Sequence, residues 1–365
     1  MDAAPQGCAV VDRDAVARRD VSRDTFGRTI DYLRIAITDR CNYRCVYCMP
    51  AEGVRFKPHE QILTFEQIER FVRVAAGYGI RHLRLTGGEP LVRKGVAELA
   101  GMLSAIPGIE DISITTNGAL LPRYARDLVA NGVSKVNISL DTLDAQVFRD
   151  VSRLGSLDEA LAGIDAALEA GFSTVKINTV AVRALHQDFL GLARMSLDRP
   201  LHVRFIEYMP IGDEDMQLDT DEQGSCGTFK DVSTWSMEDT IPTDELRAAI
   251  SAAGERAGLG PLLKADRRPD GHGPADYWHF AGAQGTVGFI SAMSNHCCAA
   301  CNRLRLTADG CLRPCLFSDV EVNVRDALVA GDDDALRAAF EQALRIKPDA
   351  HHTAGTERYM SQIGG

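Results

Sequence analysis

Six short runs of β-branched and aliphatic residues recur across the first 210 positions: Leu33–Thr38, His82–Thr86, Asp111–Thr116, Lys135–Leu140, Thr174–Val182 and His202–Tyr208. Each has the length of a buried strand. Between them the apolar positions change period. After Thr64, residues Phe65, Ile68, Val72 and Ala75 fall on one helical face, and Thr64 with Gln67 spells a capping box. After Ser156 the face is Leu161, Ile164, Ala167 and Leu168, and Ser156 with Glu159 repeats the capping pattern. Strand, helix, strand at this interval predicts parallel β/α units. Six units fall short of the eight that close a barrel. The expected fold class is therefore α/β: a partial (βα)6 TIM-like barrel, open on one side, with a smaller C-terminal extension. A doubly wound sheet is the alternative.

The same pattern divides the chain. Residues 1–25 mix Arg with Asp, lack a continuous apolar core, and read as a disordered polar extension. Residues 26–240 form the barrel, ending in an acidic, aliphatic-poor stretch at 211–240 that reads as a solvated loop and contains Cys226. Residues 241–365 form the extension. It opens with a helical stretch, Asp244–Ala257, and continues through turns and short strands to Gly364 and Gly365.

Composition narrows the function. The 365 residues are 45% hydrophobic and 25% charged, ordinary for a soluble globular enzyme. A net charge of -11 repels a phosphate backbone, which argues against nucleic acid as a partner but leaves room for a small anion held by local arginines. No apolar run approaches the roughly 18 residues that span a bilayer. With no export signal, the ten cysteines read as metal ligands rather than disulfides. The expected location is the cytoplasm, without a membrane partner.

Two cysteine triplets carry the candidate chemistry. The first is Cys41, Cys45 and Cys48, directly after the first strand; the second is Cys298, Cys301 and Cys315. A structural zinc site closes with four protein ligands, and an ordinary iron–sulfur cluster with four thiolates. Three thiolates around a four-iron cluster leave one iron free for a substrate atom. On spacing alone, a zinc ribbon that recruits Cys297 or Cys311 stays open for the second group, and register leaves Cys297 or Cys298 as the ligand. Arg303 and Arg305 alternate with leucines, so on a strand they share one face beside those cysteines. Paired guanidinium forks suit phosphate oxygens.

The first triplet, with the aromatic Tyr47 before its third cysteine, resembles the signature of the radical S-adenosylmethionine superfamily. Thr86-Gly87-Gly88-Glu89-Pro90 agrees. The resemblance implies a [4Fe-4S] cluster whose open iron takes S-adenosylmethionine, with Tyr47, Gly88, Ser139 and Met209 against that cofactor. For Met209 plain core packing is the alternative. The second triplet with Asn302-Arg303-Leu304-Arg305-Leu306-Thr307, together with Arg204-Phe205-Ile206-Glu207-Tyr208-Met209-Pro210, resembles the GTP 3′,8-cyclase family of molybdenum cofactor biosynthesis. That likeness runs from about Arg34 to Gly365. It implies a second [4Fe-4S] cluster whose open iron meets guanine, and GTP held by Arg34, Arg84, Thr115, Lys176, Arg204, Arg303, Leu304 and Arg305. For Lys176 and Arg84 an ion pair with Glu89 or Glu207 is the alternative. It further implies a Gly364-Gly365 tail in the active site, an external one-electron reductant, and a downstream pyranopterin synthase. The implied reaction takes hydrogen from ribose C3′ and joins that carbon to guanine C8. The rivals are a two-cluster peptide maturase and a zinc-stabilised interaction module without catalysis. The sequence leaves open the oligomeric state, a homodimer included, and any role for Cys8, Cys226, Cys297 and Cys311.

Overall fold

The computed structural model describes residues 22–209, 211, 237–295, 297–351 and 356–364. Most of the acidic loop, with Cys226, and the extension carrying Cys8 lie outside them. Ser22 and Asp24, which the sequence assigns to that extension, are buried instead. Ser22 is buried and its amide donates to the Tyr78 carbonyl at 2.9 Å, while buried Asp24 pairs with Arg28 at 2.6 Å.

The six expected strands form, within two residues of their predicted ends: β1 (Tyr32–Ala36), β2 (His82–Thr86), β3 (Asp111–Thr116), β4 (Val133–Ser139), β5 (Thr174–Ala181) and β6 (Leu201–Glu207). They pair in parallel and in sequence order. A doubly wound sheet reverses its strand order midway, so that alternative falls. The crossovers are α1 (Phe65–Gly77), α2 (Val96–Ser104), α3 (Leu121–Ala130), α4 (Ala145–Ser152), α5 (Leu157–Ala170) and α6 (Phe189–Arg194). They cover one face of the sheet. Ile68, Phe71 and Val72 of α1 join Leu33, Ile35, Leu83 and Leu85 in one continuous apolar core.

The later chain extends this sheet at both flanks. After α7 (Thr243–Arg256) come β7 (Leu263–Lys264), β8 (Asp276–His279) and β9 (Thr286–Ile290), and β9 adds in parallel to β6. Then β10 (Arg303–Leu306) adds in parallel to β1, followed by β11 (Cys311–Arg313), β12 (Val322–Asn323), α8 (Arg325–Ala330), α9 (Asp333–Arg345) and α10 (Met360–Ile363). The result is one twelve-stranded sheet running from β12 to β7 without closing.

The two capping boxes differ in outcome. Thr64 accepts from the Gln67 amide, and the Gln67 side chain returns the bond. Ser156 is the N-cap of α5 but makes no side-chain cap bond, so the box expected with Glu159 is absent.

Candidate active site

Side chains alternate across a strand, so the odd and even positions of β1–β6 divide into an apolar face under the helices and a polar face inside the curl. A closed barrel fills that interior with branched apolar layers. Here the layers are polar. Strand register puts Arg305, Arg34 and Arg84 side by side on β10, β1 and β2. Thr115, Asn137 and Lys176 form a second row on β3, β4 and β5. A cavity of about 330 Å³ opens above them, at the C-terminal ends of the strands.

Both cysteine triplets reach this cavity, with Tyr47, Gly88, Ser139, Met209, Arg34, Arg84, Thr115, Arg204, Arg303 and Arg305. The first triplet lies in the loop after β1, clamped against the Gly-Gly turn after β2. A Cβ on Gly87 would fall 2.2 Å from the Thr38 carbonyl oxygen, and one on Gly88 2.2 Å from that of Arg40. No other residue fits there. Glu89, buried behind that turn, accepts from the Leu91 and Asn117 amides and the Thr116 hydroxyl, at 3.0, 2.7 and 2.8 Å. Burial pushes its carboxyl up to about 7. Glu207, equally buried, accepts from the amides of Thr243, Met293 and Ser294. These carboxylates hold loops. Lys176 and Arg84 pair elsewhere.

Two expected residues sit differently. Leu304 is fully buried in the apolar core on the helix-covered face, the opposite side of β10 from Arg303 and Arg305, so its side chain does not meet the cavity. Lys176 lies below the lining, where its ammonium donates to the Asp270 carbonyl. Burial, then Arg204 and Arg84, push that ammonium down to about 7. The other cations are crowded too. Burial and the neighbouring Arg305 and Arg84 hold Arg34 well below the usual guanidinium range, and burial with Arg303 lowers Arg305 to about 10. The Nε atoms of Arg204 and Arg303 and the Thr115 hydroxyl are buried with no hydrogen-bond partner. Crowded buried cations and orphaned donors on one wall fit an anionic ligand.

Several contributors escape sequence reading. Asn137 and Asn178 accept from the Arg204 guanidinium, at 2.6 Å for Asn137. Asp141 accepts from the Tyr47 hydroxyl at 2.7 Å, and burial pushes its carboxyl up to about 6. Lys347 donates to the Cys301 sulfur at 3.4 Å and to the Arg303 and Pro314 carbonyls at 2.9 and 2.7 Å. Arg28 donates to the Cys298 carbonyl at 2.9 Å. Strand parity alone flags the two asparagines, which share the face of Ser139 and Lys176; nothing local flags Lys347 or Arg28.

Around one tetrahedral zinc, sulfurs bonded at ~2.3 Å stand roughly 3.8 Å apart. Among the described residues no three cysteine sulfurs gather within 4.8 Å. A cage of irons and sulfides spreads its thiolates wider, and a three-thiolate loop such as the first triplet suits one. Cys297 joins the cavity wall, 3.9 Å from an Arg303 nitrogen; Cys311 does not, and faces Arg358 at 3.7 Å. Burial pushes Cys41 and Cys48 up to about 11 and about 12. Burial also opposes ionisation of Cys301, but Lys347 and Arg303 prevail and bring it down to about 7. The C-terminal helix α10 roofs the site. Ile363 packs with Phe317, and the Gly364 carbonyl accepts from Arg305. A Cβ on Gly364 would fall 2.6 Å from Thr86 Cγ2. Gly365 lies outside the described residues.

The Radical SAM superfamily pattern matches residues 35–195, and the Molybdenum Cofactor Synthesis C pattern matches residues 226–353. Among solved structures, SuiB of Streptococcus suis bound to S-adenosylmethionine aligns over 86% of this chain and 68% of its own, with TM-score 0.53 and 16% identity. The anSMEcpe structure with bound AdoMet aligns over 83% and 78%, with TM-score 0.51 and 13% identity. These likenesses concern the fold, which is that of a radical S-adenosylmethionine enzyme. In sequence, the chain is 49% identical to the GTP 3′,8-cyclase of Pelotomaculum thermopropionicum, over 94% of this chain and all of that protein. The enzymes of the same name from Moorella thermoacetica and Heliobacterium modesticaldum are 47% and 45% identical, again over 94% of this chain. The chain belongs to the GTP 3′,8-cyclase family. Membership brings S-adenosylmethionine and a [4Fe-4S] cluster as cofactors. Among the described residues no helix is long and apolar enough to cross a membrane.

Proposed function

We propose that this protein converts GTP to 3′,8-cyclo-7,8-dihydro-GTP, the first step of molybdenum cofactor biosynthesis. One observation carries the reading. Arg305, Arg34 and Arg84 stand in register on three adjacent strands, in a cavity walled by two separate cysteine triplets. In this reading Cys41, Cys45 and Cys48 hold the cluster that meets S-adenosylmethionine, beside Tyr47, Gly88, Ser139 and Met209. Cys298, Cys301 and Cys315 hold a second [4Fe-4S] cluster that positions the base. The bound cofactors supply reductive radical chemistry at the ribose.

The chain's own residues do the rest. The arginine row and Arg303 take phosphate oxygens in bidentate pairs. Thr115 offers a hydroxyl, and Lys176 adds charge from below. Asn137 and Asn178 fix the Arg204 fork beside the ligand. Holding ribose C3′ and guanine C8 at near-attack distance is the positional contribution to rate. Ile363 and Phe317 keep water from the reacting carbons. An external one-electron reductant and a downstream pyranopterin synthase complete the scheme, in a cytoplasm where thiols stay reduced.

The test is an anaerobic incubation with GTP, S-adenosylmethionine and reductant, followed by product mass and 5′-deoxyadenosine analysis. Stoichiometric 5′-deoxyadenosine and cyclised nucleotide are expected. Intact GTP beside cleaved S-adenosylmethionine, with turnover of a peptide instead, would overturn the assignment.

A further inference from the structure

Behind the second triplet stands a buried cation, Lys347, that does not line the cavity. It follows α9, which is anchored in the core by Leu336, Phe340 and Ala343, with the Phe340 ring against Phe71 and Tyr78. Ile346 caps that helix, and Pro348 cannot continue it. Arg28 holds the turned chain by donating to the Pro348 and Asp349 carbonyls and, at 2.9 Å, to that of Cys298. The Lys347 side chain, 3% exposed, is thereby delivered among the second cysteine group.

An ammonium has three donors and no acceptor, and here each donor is used. One goes to the Cys301 sulfur at 3.4 Å, one to the Arg303 carbonyl at 2.9 Å and one to the Pro314 carbonyl at 2.7 Å. A fully buried lysine is normally paired with an acid. Among the described residues no carboxylate pairs with this one, so its anionic partner is the sulfur. Arg303 opens β10 and Pro314 precedes Cys315, and the ammonium ties these segments together. Cys301 belongs to the ligand set whichever of Cys297 and Cys298 joins it.

We propose that Lys347 is a positioning residue for the second cluster, whose N–H···S bond to Cys301 makes that cluster easier to reduce. This role rests on the reading of Cys298, Cys301 and Cys315 as the holders of a second [4Fe-4S] cluster. The residues fit such a group. All three cysteines line the cavity, and one already takes the outer hydrogen bond that orients and tunes a metal ligand. Reduction adds one electron from the external reductant and breaks no bond, so negative charge on the cluster and its sulfurs rises. A cation held 3.4 Å from one sulfur, away from water, favours that form. Hydrogen bonds to the sulfurs are among the levers that set cluster potentials. The first triplet has a backbone donor, the Tyr43 amide 3.3 Å from the Cys41 sulfur, and Lys347 leaves it untouched.

The experiment loads the protein with iron and sulfide anaerobically to completion and counts iron. Both clusters are then titrated potentiometrically, read by electron paramagnetic resonance, and the signal that S-adenosylmethionine shifts marks the first. Wild type should hold about eight irons. Lys347→Met removes charge and donor at similar length. It should keep the iron and make the second cluster at least tenfold harder to reduce, ~59 mV for one electron, with the first unmoved. Lys347→Gln, which keeps an N–H without the charge, should move the same signal in the same direction. Full iron with both potentials unchanged in the two variants would overturn the role of Lys347 and leave the second cluster standing. Loss of the second cluster from both variants would make Lys347 a scaffold for the ligands and overturn it as a setter of potential. About four irons and a single signal in the wild type would overturn the second cluster itself, and with it any such role.

Discussion

Lys176 illustrates how a single residue couples site and solvent. Its ammonium is held down to about 7, by burial first and then by Arg204 and Arg84. Below that pH it is charged; above it the free enzyme carries a neutral amine. A bound triphosphate favours the charged form, so binding takes up a proton as pH rises past 7. From a free-state value of about 7, affinity should fall about fivefold between pH 7 and 8. Titration calorimetry in buffers of different ionisation heat should find about one proton absorbed at pH 8, and Lys176→Met should flatten both effects. A pH-independent affinity in the wild type would refute this. Cys301 has the opposite sense. Its thiol is lowered to about 7 by Lys347 and Arg303 against burial. In cluster-free protein this stabilises the fold fully above the ordinary thiol range, and the contribution is lost as pH falls through about 7. Lys347→Met should remove that pH dependence from the melting temperature and slow iron uptake at the second triplet. Unaltered melting and uptake would show Lys347 to be mere packing.

At the scale of elements, the two helix starts make a controlled comparison. Thr64 closes a reciprocal capping box and Ser156 makes no cap bond. Thr64→Ala should destabilise by about 1 kcal/mol and Ser156→Ala by well under half of that in urea unfolding. Equal losses would mean that the observed bonds do not set the helix starts. The Gly-Gly turn is stricter. In Gly88→Ala the new methyl meets backbone at 2.2 Å and not a yielding side chain. A loss of about 1–3 kcal/mol is expected, with poorer iron retention at the first triplet; a fully stable, iron-replete variant would contradict the clamp. The six barrel strands were legible because β-branched runs are local, and Thr64 was legible because its cap is local. The inward residues of β1–β6 followed from parity once the strands were placed. The same parity turns the Leu304 side chain, flanked by Arg303 and Arg305, away from both and into the core. Ser156 failed because a sequence pattern permits a cap bond without requiring it. The addition of β9 to β6 and β10 to β1 was not legible, because pairing across so many residues leaves no local trace. Lys347 depends on that same distant closure.

For the molecule as a whole, an acidic protein lines one inner wall with buried arginines. Triphosphate binding should therefore be steered and salt-sensitive. Raising ionic strength should weaken GTP more than S-adenosylmethionine, and equal sensitivity would argue against the arginine row as the phosphate seat. The C-terminal roof adds a second expectation. Deleting residues 360–365 removes Ile363 from Phe317 and Gly364 from Arg305. S-adenosylmethionine cleavage should persist while cyclised product falls, and an unchanged ratio of product to 5′-deoxyadenosine would leave the roof without a role.

The pairing of Tyr32 with Arg303 also sets an order of events during biosynthesis. The ribosome completes the first cysteine loop long before it supplies the strand that flanks β1. Until then one edge of β1 stands bare, and the pocket for the radical-generating cluster lacks a wall. Iron loading is thus expected to follow completion of β10, and a chain stalled before Arg303 should leave thiols that oxidants and stray cations can reach.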